Sequence, residues 1–322
     1  MKLGIAVVYL VKDENEKLLD LHLHKIEKHT QVPYTIYAST NQLLPKFEEK
    51  LKQQKKIQIC RCQTFDPSAS PDSPFPKHAR EHSFYLEQLI QQAIEDNMTH
   101  IAILHVDSFP VRSGWAEELA EKLSEPCVLA SVKRVENRDY KPCTQCLFFH
   151  RDFYLKHHPT LLLSKTELSS PEYRAYQQQF KHHMDSGVGY GFKVYREGLS
   201  WYPLLRSNRG EDHYTLGSIY GNLIFHLGAS ARDELIFVRD SYHLRRSRTK
   251  RVLTALWKLG SLWLPANVKQ KFDARFKKMW RIHTSRRIQK RNESAQERVK
   301  KRLFRDPERY LDYLRTGLDR QR

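Results

Sequence analysis

Apolar and polar positions alternate in blocks along the first hundred residues. The apolar run over residues 3–11 reads as a first strand. Residues 14–29 carry Leu18, Leu19, Leu21, Leu23 and Ile26, a mixed pattern read as a helix. Residues 32–38 form a second strand, closed by the turn-prone Ser39-Thr40-Asn41. A polar helix over 43–55 and a short strand, Ile57–Cys60, follow. Residues 66–76 hold four prolines and read as a loop. Leu86, Leu89, Ile90, Ala93 and Ile94 then recur at helical spacing, the clearest amphipathic pattern in the chain. It leads into the apolar run Ile101–Leu104, a buried strand ending at His105. This alternation predicts an α/β fold with a largely parallel sheet.

Farther on, the pattern gives a helix over 116–123 and strands over Cys127–Val132 and Cys146–Phe149. Residues 157–171 read as loop and 172–183 as a polar helix. Residues 186–198 read as a helix ending at a Gly198 C-cap, with three internal glycines against it. Trp115 reads as a packing anchor. His22, His24 and His29 read as a solvated helix face. The apolar N-terminus resembles a short signal segment. Lys12-Asp13-Glu14 follows without a small-residue cleavage site, so a core strand is expected.

Charge divides the chain. Residues 1–240 hold 30 basic and 30 acidic residues, whereas 241–322 hold 25 basic and 7 acidic, so the net +18 resides in the last quarter. We therefore expect a domain over 1–240 and a basic, amphipathic helical extension over 241–322. No uncharged run reaches the length of a membrane span. Five cysteines, an odd number, do not form a secreted disulfide framework, and a cytoplasmic protein is expected. Cys60-x-Cys62 and Cys143-x-x-Cys146 leave a four-thiolate zinc site as a minor alternative.

The candidate chemistry sits at His105-Val106-Asp107-Ser108. Ligands in open α/β sheets bind outside the carboxyl ends of the strands. His105 and Asp107 alternate with Val106, so both can face one cleft. Two ligand-type residues there can hold a divalent metal and the phosphates it carries. The structural alternatives are a satisfied strand-end histidine for His105 and a turn cap for Asp107.

Together with the strand ending in Ser39, Asp185-x-Gly before a glycine-ended helix, and Phe225-His226-Leu227-Gly228, this order resembles glycosyltransferases of the GT-A fold, nearest to glycosyltransferase family 2. The resemblance spans about residues 1–240. It implies a Rossmann-type, mostly parallel sheet flanked by helices. It also implies an Asp-x-Asp motif that binds a divalent metal, manganese or magnesium, and the nucleotide-sugar diphosphate. His105 and Asp107 fall on the two acids, and His105 departs from the pattern, which leaves the metal requirement open. The resemblance implies Asp185 as catalytic base, His226 as a further metal ligand, and Ser39, His82 and Ser83 as donor contacts. Arg232 is the best placed of Arg206, Arg209 and Arg232 to neutralise phosphate. Asp185 as a helix N-cap and His226 as an edge-of-core residue stand as structural alternatives.

In the extension, Val252–Pro265 is apolar with two tryptophans and follows Arg245, Arg246, Arg248, Lys250 and Arg251. Residues 269–291 add Phe272, Phe276, Met279 and Trp280 among many cations. Such a segment suits an anionic membrane surface or packs on the domain. No nucleic-acid motif accompanies the charge, which ranks nucleic acid last. The resulting expectation is an enzyme, a glycosyltransferase. It takes a nucleotide-sugar donor and a glycan or lipid-linked acceptor, at the cytoplasmic membrane face. A catalytically inactive GT-A scaffold, acting as an adaptor through its basic tail, is the second reading.

Overall fold

The computed structural model describes residues 1–41, 43–69, 73–228 and 290–318. Its central sheet grows outward from Leu3–Val8 (β1), whose residues are almost all buried. Parallel to β1 lie Tyr34–Ser39 (β2) and His100–Leu104 (β4), and Ile57–Cys60 (β3) extends the sheet beyond β2. The full order is β3-β2-β1-β4-β7-β6-β8, with Cys127–Arg134 as β6, Asp139–His150 as β7 and Ser200–Leu204 as β8. Only β7 runs against the others. The sheet is thus mixed and mostly parallel, as the alternating pattern predicts.

The period-two alternation of the strands sorts their side chains to two faces. Leu3, Ile5, Val7, Ala102 and Leu104 join one core with helices Glu16–His29 (α1), Pro45–Lys52 (α2) and Trp115–Glu121 (α4). Ala6, Ile101, Ile103, Leu147 and Phe149 join the other with Lys77–Glu95 (α3), through Leu86, Leu89, Ile90 and Ala93. Trp115 is fully buried, and its indole N–H donates to Thr30 Oγ1 at 3.1 Å, the anchor expected of it.

Three features differ from the sequence reading. First, β7 is twelve residues long, although Pro142 argues against a central strand. The register of β6 against β7 shifts on either side of Val132, and Ser131 Oγ bridges the irregularity by accepting the Cys143 N–H at 2.9 Å. Second, a five-residue helix, Lys165–Ser169, lies inside the expected loop. It is closed by a capping box of Ser164 and Glu167, a local signal too short for periodicity to show. Third, His22 and His29 are buried rather than solvated, and only His24 is exposed. His22 lies in van der Waals range of the Tyr9 ring, and its Nδ1 is 3.0 Å from the Ser108 carbonyl. Burial lowers its pKa to about 4.

A second, three-stranded antiparallel sheet pairs Ser108–Pro110 (β5) with Ile224–His226 (β10), and β10 with Ser218–Tyr220 (β9). The chain divides into two compact units, Met1–Ala231 with Arg302–Arg322, and Arg232–Lys301. In the second unit the described residues, 290–301, are helical. The C-terminal helix Pro307–Thr316, which charge alone groups with the extension, belongs to the first unit. Leu314 O accepts the N–H groups of Arg209 and Gly210, and Arg315 donates to the Val111 carbonyl. Glu308 Oε1 lies 2.8 Å from Lys25 Nζ and 2.7 Å from Lys28 Nζ. The apolar segment 252–264 and the expected boundary at 240/241 lie outside the described residues. Among the described residues no helix is long and apolar enough to cross a membrane.

The Glu308 contact generates a prediction. The Lys25 side chain is 1% exposed, so its ammonium depends on this partner. Partial burial raises the Glu308 pKa, but the hydrogen bonds from Lys25 and Lys28 outweigh it and bring it down to about 2. A depressed carboxyl stabilises the fold above its unfolded pKa and loses that contribution as pH falls through the folded value. Glu308→Gln should cost about 1–2 kcal/mol near neutral pH, a buried-pair loss discounted for the exposed carboxylate. The gap between variant and wild type, measured by urea unfolding at a series of pH values, should close between about pH 4.5 and pH 2.

Candidate active site

The carboxyl edge of the parallel strands carries the candidate residues. β4 ends at Leu104, and the chain turns through His105, Val106 and Asp107 into β5. The turn is tight, with Ser108 N–H donating to His105 O at 2.9 Å. β10 then pairs antiparallel with β5 so that His226 stands opposite Ser108. Leu227 N–H closes the pairing on the Asp107 carbonyl at 2.9 Å. Phe109 and Phe225, stacked with centroids 4.9 Å apart, fix the register on the neighbouring pair.

These constraints bring His105, Asp107 and His226 together. Asp107 Oδ1 lies 3.7 Å from His226 Nε2 and 4.0 Å from His105 Nδ1. One ligand atom from each residue lies within 4.8 Å of the others. Asp107 and His226 are buried, and His105 is partly exposed. Among the described residues this is the one such group of His, Cys, Asp and Glu side chains. The cysteine pairs do not join into a four-thiolate site. Cys143 and Cys146 lie in one core of the sheet, and Cys60 and Cys62 border the other.

The second cluster surrounds the Asp185 turn. His82, in the first turns of α3, sets its ring edge-on to His105 at 4.9 Å and places Nδ1 3.5 Å from Ser186 Oγ. Ser83 Oγ donates to Ser186 Oγ at 3.1 Å. Burial first, then the neighbouring His105, lowers the His82 pKa to about 3, so its imidazole is neutral at physiological pH. Ser39, at the end of β2, is fully buried and donates to Asn41 Oδ1 at 3.0 Å. Asn41 in turn bonds the Cys62 carbonyl, and the Ser39 carbonyl accepts the Tyr9 N–H at 3.0 Å.

Asp185 is not the N-cap of its helix. Val188–Arg196 (α8) is capped by Gly187, and Asp185 Oδ1 instead accepts the Ser186 N–H at 2.8 Å. Gly187 has φ +88°, and a Cβ there would meet the Pro142 carbonyl at 2.4 Å. Only glycine lets the turn press this closely on β7. Arg206 is committed to the protein, its guanidinium bonding Ser218 Oγ, Glu211 Oε2 and the His213 carbonyl. Arg232 lies outside the described residues.

Sequence reasoning missed two residues of this site. Thr144 Oγ1 lies 3.1 Å from His105 Nε2, and Thr144 Cγ2 faces Gly187. Lys141 is buried, with Nζ 3.3 Å from Asp139 Oδ2. Burial acts to lower the Lys141 ammonium, but Cys143, Asp139 and Asp185 outweigh it and raise its pKa. The pattern Lys141-Pro142-Cys143-Thr144 shows neither period, because the strand is irregular there.

No family model and no curated protein matches the chain. Among solved structures it is similar to the galactosyltransferase LgtC in complex with donor and acceptor sugar analogues. That match has 12% identity and a TM-score of 0.38, and covers 63% of this chain and 73% of that one. Apo mouse xyloside xylosyltransferase 1 matches at 11% identity and a TM-score of 0.37, over 63% and 85%. S. aureus TarS residues 1–349 with UDP-GlcNAc match at 12% identity and a TM-score of 0.34, over 51% of this chain and 50% of that one.

Gly187→Ala should lower thermal stability more than Gly114→Ala. Both glycines are left-handed, but the Gly114 position has open space around it. The backbone conformation alone costs about 1–3 kcal/mol at either position. Calorimetric unfolding of the two variants should show the larger loss at Gly187, where the Pro142 carbonyl must also move.

Proposed function

We propose that the chain is a glycosyltransferase that moves a sugar from a nucleoside diphosphate donor to a hydroxyl of a glycan or lipid-linked acceptor. The observation that supports this reading best is the convergence of His105, Asp107 and His226 at the carboxyl edge of the sheet. The residues arrive there from two distant segments, in the order that the GT-A resemblance implies.

The donor set suits a divalent cation. A ligand bond of about 2.1 Å allows two ligand atoms up to about 4.2 Å apart. Both pairs that include Asp107, at 3.7 and 4.0 Å, meet that limit, and all three ligand atoms lie within 4.8 Å of one another, so a small closure of the two imidazoles completes the set. A cation held by these residues would supply charge stabilisation for the leaving diphosphate. His82 and Ser83, joined to Ser186, and Ser39 at the end of β2 border the same edge and bind the donor. Asp185 accepts the proton of the acceptor hydroxyl as its oxygen attacks the anomeric carbon and the carbon–diphosphate bond breaks. The Ser186 N–H on Asp185 Oδ1 orients the carboxylate for that role. The basic extension holds the enzyme against the anionic cytoplasmic face of a membrane, where lipid-linked acceptors reside.

Titration calorimetry with UDP and GDP, with and without Mn²⁺, tests the donor site. Asp107→Asn should abolish cation-dependent nucleotide binding and sugar transfer. Asp185→Asn should lower transfer by about 10²–10⁴-fold and leave nucleotide affinity unchanged. Full activity in Asp107→Asn overturns the assignment, and binding of no nucleotide by the wild type returns the inactive scaffold to first place.

The membrane role is read by co-sedimentation with phosphatidylserine vesicles. Replacing Arg245, Arg246, Arg248, Lys250 and Arg251 by Gln should release the protein, since each cation near an anionic surface contributes about 1 kcal/mol. Equal sedimentation of variant and wild type would remove the membrane claim.

A further inference from the structure

We infer that His105, positioned by Thr144, makes this centre selective for first-row transition-metal cations over magnesium. The inference rests on the proposed cation site and concerns which cation the site takes.

The two ring nitrogens of His105 have different surroundings. Nε2 lies 3.1 Å from Thr144 Oγ1, and Nδ1 faces Asp107 Oδ1 at 4.0 Å. An imidazole that donates its N–H to one partner presents a lone pair on the other nitrogen. In the tautomer whose Nε2–H donates to Thr144, Nδ1 is left to ligate, on the side of the oxygen that His226 Nε2 also approaches. Such an outer hydrogen bond fixes both tautomer and ring orientation at metal sites. Thr144 is well held for this role. It is 4% exposed, sits in the irregular stretch of β7, and its methyl faces the Gly187 turn. The edge-on His82 ring closes the other side of the imidazole at 4.9 Å.

The resulting donor set is two imidazole nitrogens and one carboxylate oxygen. Magnesium favours oxygen donors and sheds its water reluctantly, whereas imidazole favours cations such as cobalt and zinc. A second carboxylate at position 105 would give a site of harder, more negative character. Position 105 therefore sets the cation preference, and Thr144 is a positioning residue that acts through it.

The test uses the full chain and the cations alone, without sugar donor. Co²⁺ and Mg²⁺ affinities are measured by titration calorimetry, and the visible Co²⁺ spectrum reports nitrogen ligation. Wild type should bind Co²⁺ at least about tenfold more tightly than Mg²⁺. His105→Asp should reduce that ratio by about tenfold or more, through tighter Mg²⁺ binding and a shift of the Co²⁺ bands to those of a site with one nitrogen ligand, His226. Thr144→Val, close in shape but without the hydroxyl, should weaken Co²⁺ by about 10–100-fold, and Thr144→Ser should restore it. Unfolding midpoints of the variants, taken alongside, separate loss of the fold from loss of the ligand. Equal binding of Mg²⁺ and Co²⁺ by wild type overturns the selectivity while leaving a cation site in place. Wild-type Co²⁺ affinity in Thr144→Val overturns the positioning role. Binding of neither cation by wild type removes the cation site itself, and this inference with it.

Discussion

The antiparallel pairing of Ser108 with His226 is the constraint on which the candidate site depends. It joins the end of the main sheet to a segment more than a hundred residues later. Without it, Asp107 ends a strand alone and His226 is one polar residue in an apolar run. The pairing is short, three residues on each strand, so its backbone hydrogen bonds do not carry it unaided. Packing supplies the rest. Phe109 stacks on Phe225, Ile219, Leu223 and Leu227 are buried around it, and Ser108 Oγ donates to the Gln145 carbonyl of β7 at 2.5 Å.

The same small sheet is braced from outside. His22 on α1 reaches the Ser108 carbonyl, and Arg315 of the C-terminal helix reaches the Val111 carbonyl just past β5. Leu314 ties down Arg209 and Gly210, and Arg302 pairs with Asp212 at 2.7 Å, so the connection from β8 to β9 is anchored by the chain's end. Residues that read as surface or tail thus hold the segment that delivers His226. The burial of His22 follows from this, since its Nδ1 replaces water for a carbonyl that the turn leaves inside. The cost is a histidine whose charged form is excluded near neutral pH.

What was legible in the sequence divides along physical lines. Elements long enough to complete a period were read from pattern. The Leu86–Ile94 stripe became α3, and the run Ile101–Leu104 became β4, with chemistry at its end. The three-residue strands β5, β9 and β10 have no period to read, so the second sheet was invisible, although two of the three candidate ligands hang on it. Of β7 only Cys146–Phe149 is legible, because Pro142 and the register shifts interrupt the alternation. Thr144, which touches His105, was lost with the missing part. The burial of His22 and Lys25 was hidden for another reason. Their polar side chains go inward to specific partners, Ser108 and Glu308, that are remote in the chain. No local pattern encodes a partner at that distance.

Charge placement gives the departure at position 105 a physical meaning. His82 is held neutral by burial, and the Lys141 ammonium is shared between Asp139 and Asp185. A divalent cation facing two acids would be neutralised by the protein. Facing Asp107 and two imidazoles that ligate through nitrogen lone pairs, it would retain about one unit of positive charge. In the proposed reading, that remainder would act on the diphosphate of a bound nucleotide sugar, whose negative charge grows as the sugar leaves. In a partly buried site such a charge is screened less than in water. On that reading, histidine at position 105 would leave more of the cation's charge for the leaving group than a second carboxylate would. Stabilisation would then fall where charge develops rather than where the cation rests.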